Sequence, residues 1–191
     1  MTAHYLKDAD ISRGCKQNDS TAWRSLVRTH SPLVYRIALR MLKNRQEAED
    51  VCQEVFMNVH RSINSHDPTR PLAPWLARIT YNASLKRLSR TKQNSDKEFE
   101  LYEDDLPDAE DNATPESDME NREISGLIVQ ALDQLSAQDR ALVVMRYREG
   151  FTDSEIAEST NMPVGTVKTR LHRARNRLKE RLAPFFTEVP K

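Results

Sequence analysis

The chain of 191 residues has few members of several residue types, and each shortage excludes a class of protein. Its two cysteines, Cys15 and Cys52, are too few for a disulfide framework and lack any spacing that closes around zinc. Only four glycines accompany 38% apolar and 30% charged residues, which excludes collagen-like and disordered polymers. The composition therefore favours a soluble all-α protein in a reducing compartment, with no cofactor and no metal.

Long apolar runs are also missing. The longest purely aliphatic run, at residues 141–145, is far shorter than the roughly 20 residues of a membrane-spanning helix. Residues 1–16 contain no apolar core of the length that a signal peptide needs. The sequence therefore predicts no membrane insertion and a cytoplasmic location.

The sequence lacks the common signatures of catalysis. It contains no P-loop and no GxSxG motif, and no nucleophile lies within a recognised local signature. The five histidines form neither HExxH nor another metal-ligand spacing; they are His4, His30, His60, His66 and His172. Only a catalytic site assembled from distant residues would escape this argument, so we predict a protein that is not an enzyme.

The charges that are present are segregated along the chain, although the formal net charge is zero. Cations gather at residues 86–92 and 168–181, whereas residues 96–123 carry thirteen acids against only Lys97 and Arg122. The acids are Asp96, Glu98, Glu100, Glu103, Asp104, Asp105, Asp108, Glu110, Asp111, Glu116, Asp118, Glu120 and Glu123. Such local patterns, more than the average, determine which partners a chain binds.

The acidic segment is predicted to be a linker. It also contains Pro107 and Pro115, and it lacks the apolar periodicity of a helix or a strand. We therefore predict two small helical domains, residues 1–92 and 122–185, joined by an acidic flexible linker at residues 93–121.

Apolar stripes with helical spacing mark the predicted helices. In the first domain they occupy residues 22–42, 48–63 and 75–90, and in the second domain residues 124–135. Pro32 interrupts the first stripe, which predicts either one long helix or two. A loop with the sequence NSHDPTRPLAP separates the second stripe from the third.

Capping residues mark where the helices of the second domain begin and end. Ser136 and Asp139 have the spacing of a cap, and the helix that they start should end at Gly150. Thr152 and Glu155 have the spacing of a capping box for a short helix. A tight turn containing a proline then leads into the last helix.

The last helix divides into an apolar arc and a basic face when its residues are projected at about 100° each. The apolar arc comprises Val167, Leu171, Ala174, Leu178 and Leu182. The opposite face is centred on Thr169, His172, Arg173 and Asn176, with Lys168 and Arg175 along one edge and Arg170, Arg177 and Arg181 along the other.

Two helices joined by a tight turn, the second with such a face, form the helix-turn-helix that places a recognition helix in the major groove of DNA. The alternative is a solvated helix face without a ligand. A solvated face usually mixes both signs of charge, whereas this helix has Glu180 as its single acid up to residue 182. The pattern therefore favours DNA binding.

Both domains resemble one family. The run MPVGTVKTRLHRARNRLKERL, preceded by LDQLSAQDRALVVMRYREGFTDSEIAE, resembles the promoter-recognition domain of bacterial extracytoplasmic-function (ECF) sigma factors of the sigma-70 family. The runs EAEDVCQEVFMNVHR and PLAPWLARITYNASLKRLSR resemble the other domain of that family. The resemblance implies a sigma2-like first domain, a sigma4-like second domain and a specificity subunit that binds core RNA polymerase.

The resemblance also implies roles for residues of the first domain. The helix of residues 47–63 would contact the β′ clamp helices of the polymerase, with Asp50, Gln53 and Glu54 as the candidate contacts. Residues 64–71 would capture a flipped base of the −10 promoter element, which needs stacking and hydrogen bonds to offset the lost base stacking. The candidate −10 contacts are Asn64, Ser65, His66, Asp67, Asn82, Lys86 and Arg87.

Two aromatic residues near these candidates each have two interpretations. Trp75 lies on an apolar stripe, where core packing is the favoured interpretation, and Tyr81 is either a surface residue or a contact to the DNA strand. The acids at Asp50 and Glu54 would, without the resemblance, be assigned to a solvated helix face.

For the second domain, the resemblance implies contacts to the −35 promoter element and to the β flap of the polymerase. The implied base readers, Lys168, Thr169, His172 and Arg173, coincide with the face found from periodicity. Arg170, Arg175 and Arg177 are assigned to phosphates, which supply affinity and salt dependence. The family also implies an acidic linker that runs toward the polymerase active-site and RNA-exit channels, and control by an anti-sigma factor.

One competing interpretation remains from the sequence. A stand-alone regulator would use only the terminal helix-turn-helix, with the first domain as a sensor or dimerisation module. Such a protein would bind DNA without polymerase and would form no stable complex with the core enzyme.

Overall fold

The structure, a computed structural model, describes residues 7–94 and 126–186. Every regular element in these two ranges is helical, which confirms the predicted all-α class. The helices are α1 (Asp8–Lys16), α2 (Ser20–Leu42), α3 (Arg45–Ser62), α4 (Leu72–Asn94), α5 (126–133), α6 (Ala137–Val143), α7 (Asp153–Thr160) and α8 (Val164–Phe186). A 3₁₀ turn (Ile63–Ser65) follows α3, and a π-helical turn (Val144–Arg148) follows α6. Residues 95–125, which include nearly all of the predicted acidic linker, lie outside the described residues.

The first domain contains α1 to α4 around one apolar core. α2 packs against α1, α3 and α4, and its buried side includes Leu26, Val34 and Ile37. Most residues of the apolar stripes predicted for α2 and α3 are buried in the structure, but Trp23 and Cys52 are half-buried and Val27 is exposed. Burial of these stripes against one another supplies most of the stabilisation that isolated helices lack.

Pro32 lies inside α2, which is a single helix of 23 residues. The helix begins after Asp19, whose side chain accepts a hydrogen bond from Thr21 N at 2.8 Å, and ends at Lys43 in the left-handed region at φ 55°. Pro32 is exposed, so the backbone hydrogen bond that a proline cannot donate is lost on the solvent side of the helix. Of the two alternatives left by the sequence, the structure therefore has the continuous helix.

Helix α1 was not among the helices predicted from the sequence. It has nine residues, and Ile11 and Cys15 on it are buried in the core of the first domain. Those two apolar residues, four positions apart, are too few to establish a helical stripe by themselves. Helix α1 is therefore too short to be predicted from apolar periodicity, although its buried residues make it part of the domain.

The caps predicted for the second domain are present. Ser136 Oγ accepts a hydrogen bond from the Asp139 backbone N–H at 3.1 Å, at the start of α6. Thr152 and Glu155 form the complete capping box of α7. Gly150 has φ +72°, a left-handed conformation that glycine adopts without steric cost, and it ends the helical segment as predicted.

The two domains pack against each other, with α7 and α6 of the second domain against α4 and α2 of the first. At the centre, Ser159 Oγ donates a hydrogen bond to the carbonyl oxygen of Pro74 at 3.0 Å. The buried guanidinium of Arg140 donates to the carbonyl oxygens of Arg40 and Met41 at the C-terminal end of α2. A cation at this end of a helix is favourable because the unpaired carbonyls there carry partial negative charge.

Ion pairs between residues of the described ranges also connect the domains around this centre. They include Arg36–Glu149, Lys43–Asp133 and Arg70–Glu158. Buried apolar residues of both domains also belong to one continuous hydrophobic cluster, so the interface combines apolar burial with these ion pairs. Within the described ranges, no helix has the length and apolar character needed to cross a membrane.

Candidate nucleic-acid and polymerase interfaces

Helix α8 presents a basic face to solvent. Its apolar arc is directed inward: Val167, Leu171 and Ala174 are buried, and Leu178 and Leu182 are half-buried. The opposite side is exposed at each residue of the predicted reading face and at its flanking cations other than Arg170, which is half-buried. These exposed residues are Lys168, Thr169, His172, Arg173, Arg175, Arg177 and Arg181. Periodicity therefore identified the orientation of α8 correctly.

Helices α7 and α8 have the arrangement of a helix-turn-helix. Asn161, in the left-handed region at φ 54°, ends α7, and α8 begins at Val164 after Pro163. The two helices pack together through their apolar sides, which include Ile156 and Val167. On the reading face, Thr169 Oγ1 donates to the Gly165 carbonyl oxygen at 2.9 Å, so this hydroxyl keeps its lone pairs as acceptors for a base.

Arg170 differs from the other predicted DNA contacts because its guanidinium already has partners. Its Nε lies 2.7 Å from Asp139 Oδ1, and its Nη1 donates to Gln138 Oε1 at 2.9 Å. Although burial raises the pKa of Asp139, hydrogen bonds from Arg170 and Ser136 outweigh burial and leave that pKa below its usual value. Arg170 thus ties α8 to the first turn of α6, and a DNA phosphate would have to compete with Asp139.

The three candidate polymerase contacts on α3 have different surroundings. Gln53 is exposed, and Glu54 is half-buried. Asp50 is half-buried and accepts a hydrogen bond from Arg87 Nη2 at 2.9 Å, while Arg87 Nε lies 3.5 Å from Glu47. Arg87 is itself one of the candidate −10 contacts, so this ion pair joins the predicted polymerase surface on α3 to the predicted DNA surface on α4.

Residues 64–71, named here the −10 loop, connect the 3₁₀ turn to α4. Asn64, Ser65 and Asp67 are exposed. Asp67 Oδ1 accepts hydrogen bonds from the backbone N–H and the hydroxyl of Thr69, and these bonds hold the pKa of Asp67 below its usual value. His66, in contrast, is buried with only 4% of its surface exposed. In this conformation His66 is therefore not on the surface that a DNA strand can contact.

On α4, the candidate −10 contacts Asn82 and Lys86 are exposed. Trp75 is half-buried and packs against the core, in agreement with its core interpretation. Tyr81 is buried with 1% exposed, and its hydroxyl has no hydrogen-bond partner. Neither interpretation of Tyr81 from the sequence included this position inside the molecule, where burial raises the pKa of its hydroxyl above the usual value.

Comparison with known proteins agrees with this division of the chain. A family model for sigma-70 region 2 matches residues 26–94, and a model for sigma-70 region 4 matches residues 125–178. The ECF RNA polymerase sigma factor SigW of Bacillus subtilis is 33% identical over 175 residues, which cover 87% of this chain and 92% of the relative. The RNA polymerase sigma-H factor of Pseudomonas aeruginosa is 30% identical over 96% of this chain and 97% of its own length.

The chain belongs to the ECF sigma factors of the sigma-70 family.

Solved structures have the same fold as this ECF sigma factor. The sigma factor RpoE from Bartonella quintana, in a co-crystal structure with the anti-sigma factor NepR, is 25% identical with a TM-score of 0.65. The match covers 84% of this chain and 96% of that chain. CnrH, in complex with the cytosolic domain of CnrY, has a TM-score of 0.64 at 20% identity and covers 93% of this chain and 97% of its own.

Several residues that shape the surfaces of this sigma factor were missed by sequence reasoning. Asp139 was noticed only as part of a helix cap, although its more consequential contact is with Arg170, 31 positions away. Ser12 lies in the unpredicted α1 and contacts His66 of the −10 loop. The four-residue spacing of Ile11 and Cys15 is compatible with a helix that contains Ser12, but two apolar residues are too few to predict one.

Proposed function

We propose that this sigma factor binds core RNA polymerase and directs it to promoters that have a −10 and a −35 element. The observation that carries the proposal is the basic face of α8, which is exposed at every predicted base reader while the apolar arc of the helix is buried or half-buried. Because the chain belongs to the ECF family, we take core RNA polymerase to be the partner that this DNA-binding face directs to promoters. In this role the chain is a specificity subunit and has no catalytic site of its own.

In the second domain, we propose that Lys168, Thr169, His172 and Arg173 contact base edges of the −35 element. A recognition helix in the major groove places its central side chains on bases and its flanking cations on phosphates. Arg175 and Arg177 are exposed at the edges of the face and are proposed as phosphate contacts. The remainder of the domain, residues 122–185, would hold α8 and contact the β flap.

Arg170 has a different proposed role. Its ion pair with Asp139 connects the recognition helix to α6, and both side chains are about one-fifth exposed. Charge-assisted hydrogen bonds in such a position fix one geometry more firmly than exposed ion pairs do. We therefore propose that Arg170 sets the orientation of α8, and a contact to phosphate would require the pair with Asp139 to open.

In the first domain, residues 1–92, we propose that α3 binds the β′ clamp helices through Gln53, Glu54 and Asp50. Gln53 is exposed, and the shallow groove beside it is lined by residues of α2 and α3. Asp50 is held by Arg87, so polymerase binding at α3 would be sensed at the DNA-contacting side of α4. This arrangement would couple attachment to the polymerase with the position of a −10 contact.

For the −10 element, we propose that the flipped base is received between the −10 loop and α4. Asn64, Ser65 and Asp67 are exposed on the loop, and Asn82 and Lys86 are exposed on the helix. Side-chain amides and hydroxyls provide hydrogen bonds to a base edge, and Lys86 provides a backbone contact. His66 is left out of this proposed pocket because it is buried.

We also propose that an anti-sigma factor controls this sigma factor in the cytoplasm, where the polymerase works. The support is the structural similarity to the Bartonella quintana sigma factor, which was solved with an anti-sigma factor. A pull-down of proteins that bind the purified chain, carried out with and without excess core polymerase, would identify such an inhibitor by its competition with the polymerase.

The proposed function is tested by mixing the purified chain with core RNA polymerase. We expect the two to co-elute from a size-exclusion column and the mixture to start transcription at promoters that core alone ignores. If the natively folded chain does neither and yet binds specific DNA alone, it is a stand-alone helix-turn-helix regulator and the proposal is wrong.

A further inference from the structure

The −10 loop is held at three points by one face of α1. The three contacts come from Asp8, Ser12 and Lys16, which are four residues apart and therefore lie along one side of the helix. Eight helical steps extend about 12 Å, so a single rigid stripe reaches from one end of the loop to the other. The family model for sigma-70 region 2 begins at residue 26, so α1 lies outside the matched segment.

The outer two contacts fix the entry and the exit of the loop through its backbone. At the entry, Lys16 Nζ donates to the carbonyl oxygen of Asn64 at 3.3 Å. At the exit, Asp8 Oδ2 accepts the backbone N–H of Leu72, the first residue of α4, at 2.8 Å. His30 Nε2 lies 3.6 Å from the other Asp8 oxygen and contributes most to holding the pKa of Asp8 below its usual value. Asp8 therefore remains charged and caps α4 from another part of the chain.

The central contact is the most deeply buried. Ser12 Oγ and His66 Nδ1 are 2.8 Å apart, and the two side chains are 0% and 4% exposed. The ring of His66 packs against Trp75 on α4, with 4.9 Å between ring centroids. Water cannot readily replace a hydrogen bond at this depth, so loss of the Ser12 hydroxyl leaves a polar ring atom without a partner.

We propose that α1 is a splint that pre-organises the −10 loop for capture of the promoter base, with Ser12 as the central positioning residue. The inference rests on the proposed −10 function of the loop. An unsupported surface loop loses conformational freedom when it binds a ligand, and that loss weakens binding. A loop that is already fixed at its entry, middle and exit loses little further conformational freedom when it binds. Its exposed side chains, including Asn64, are then held close to the geometry that binding requires.

The test uses holoenzyme reconstituted from core polymerase and six forms of the chain: wild type, Ser12→Ala, Lys16→Ala, Arg13→Ala, His66→Phe and the double variant Ser12→Ala with His66→Phe. Arg13 is the matched control because it is exposed on the same helix and pairs only locally with Asp10. Each holoenzyme is titrated with a single-stranded −10 oligonucleotide and with a copy substituted at the flipped base. A −35 duplex is titrated in parallel, and thermal unfolding reports on folding.

We expect wild type and the Arg13 variant to prefer the intact −10 oligonucleotide equally. Ser12→Ala should reduce that preference by about five- to tenfold, and Lys16→Ala by about two- to threefold, with −35 affinity and core affinity unchanged. Ser12→Ala should cause no further loss when it is added to a His66→Phe background, because the hydroxyl acts through His66. Lys16 is near the surface, so its variant folds even if the Ser12 variant does not.

Two results would overturn the splint. One is wild-type preference retained in both the Ser12 and Lys16 variants. The other is an equal loss on the −10 and −35 probes, which would make Ser12 a general structural residue. A wild-type holoenzyme that ignores the substituted base would instead contradict the proposed −10 function, and the inference would fall with it.

Discussion

Arg36 on α2 and Glu149 after α6 form a two-point ion pair between the domains, with Nε 2.7 Å from Oε1 and Nη2 3.1 Å from Oε2. The two side chains are 29% and 11% exposed, and they are 113 positions apart in the sequence. Parallel hydrogen bonds between a guanidinium and a carboxylate fix relative orientation as well as distance. The pair therefore helps to define how the two domains pack in this structure.

Reversal of one charge in this pair should loosen the packing of the domains. We expect Arg36→Glu to lower the free energy of unfolding by about 1–3 kcal/mol, because Glu149 is left without its partner in a site with little water. The measurement combines urea unfolding with energy transfer between a dye on α3 and a dye on α8. Arg13→Glu makes the same charge change at an exposed site and serves as the control.

The double reversal Arg36→Glu with Glu149→Arg tests whether the pair itself is responsible. Restoration of at least half of the lost stability and of the energy transfer is expected. If the double variant loses as much free energy of unfolding as the two single variants together, the orientation of the domains does not depend on this ion pair.

Substitutions on α8 should separate base reading from phosphate binding. Arg173→Ala should weaken binding to the preferred −35 element by about tenfold or more and reduce discrimination between sequences, since one base contact contributes about 1–3 kcal/mol. Arg177→Ala should weaken all sequences alike and lower the salt dependence of binding by about one counterion. Fluorescence anisotropy at several salt concentrations measures both effects. Equal, sequence-independent losses from the two variants would contradict the assignment.

The Arg170–Asp139 pair should stabilise the second domain only where Asp139 is ionised. Its folded-state pKa is lowered, so the unfolded chain takes up the proton first as the pH falls below the ordinary value of 3.8. The contribution is therefore present above that pH and is lost as the pH falls through the folded pKa. Arg170→Ala should cost about 1–3 kcal/mol at pH 7 and much less near pH 2, measured by denaturant unfolding. A cost that does not change with pH would exclude the ion pair as its origin.

His66 should make the first domain less stable in mild acid. Burial is the largest influence on this ring and lowers its pKa from 6.5; a backbone hydrogen bond with Pro71 opposes it most, Lys16 acts in the same direction as burial, and Asp67 and Asp8 also oppose it. The unfolded chain then binds the proton first, so stability is full above pH 6.5 and falls as the pH decreases toward the folded pKa. His66→Gln should flatten stability between pH 7 and pH 5 in urea unfolding curves. An unchanged slope would place the titrating group elsewhere.

The elements that sequence reasoning predicted correctly are those specified by short-range patterns. The apolar arc of α8, the capping box of α7 and the cap at Ser136 each depend on residues three or four positions apart. Pro32 shows the limit of such patterns, because only tertiary packing determines whether α2 continues through it. Propensity is a weak prior wherever packing energy is larger.

The features that were missed depend on contacts between distant parts of the chain. Arg170 contacts Asp139, and Ser12 contacts His66, although neither pair is related by a local period of the sequence. Tyr81 is buried, which its local sequence pattern did not indicate. His66 was considered as a DNA contact because the family resemblance assigned its loop to the −10 element, yet its ring packs against Trp75. Polarity alone does not say whether a loop side chain is directed to solvent or to the core.

The most direct test of the central claim is transcription by core polymerase on a genomic DNA library, with and without this sigma factor. We predict new transcripts that start downstream of a shared pair of −10 and −35 elements, and loss of most of them with Arg173→Ala holoenzyme. If a natively folded chain leaves the transcription start sites used by core polymerase unchanged, it does not direct the polymerase to specific promoters.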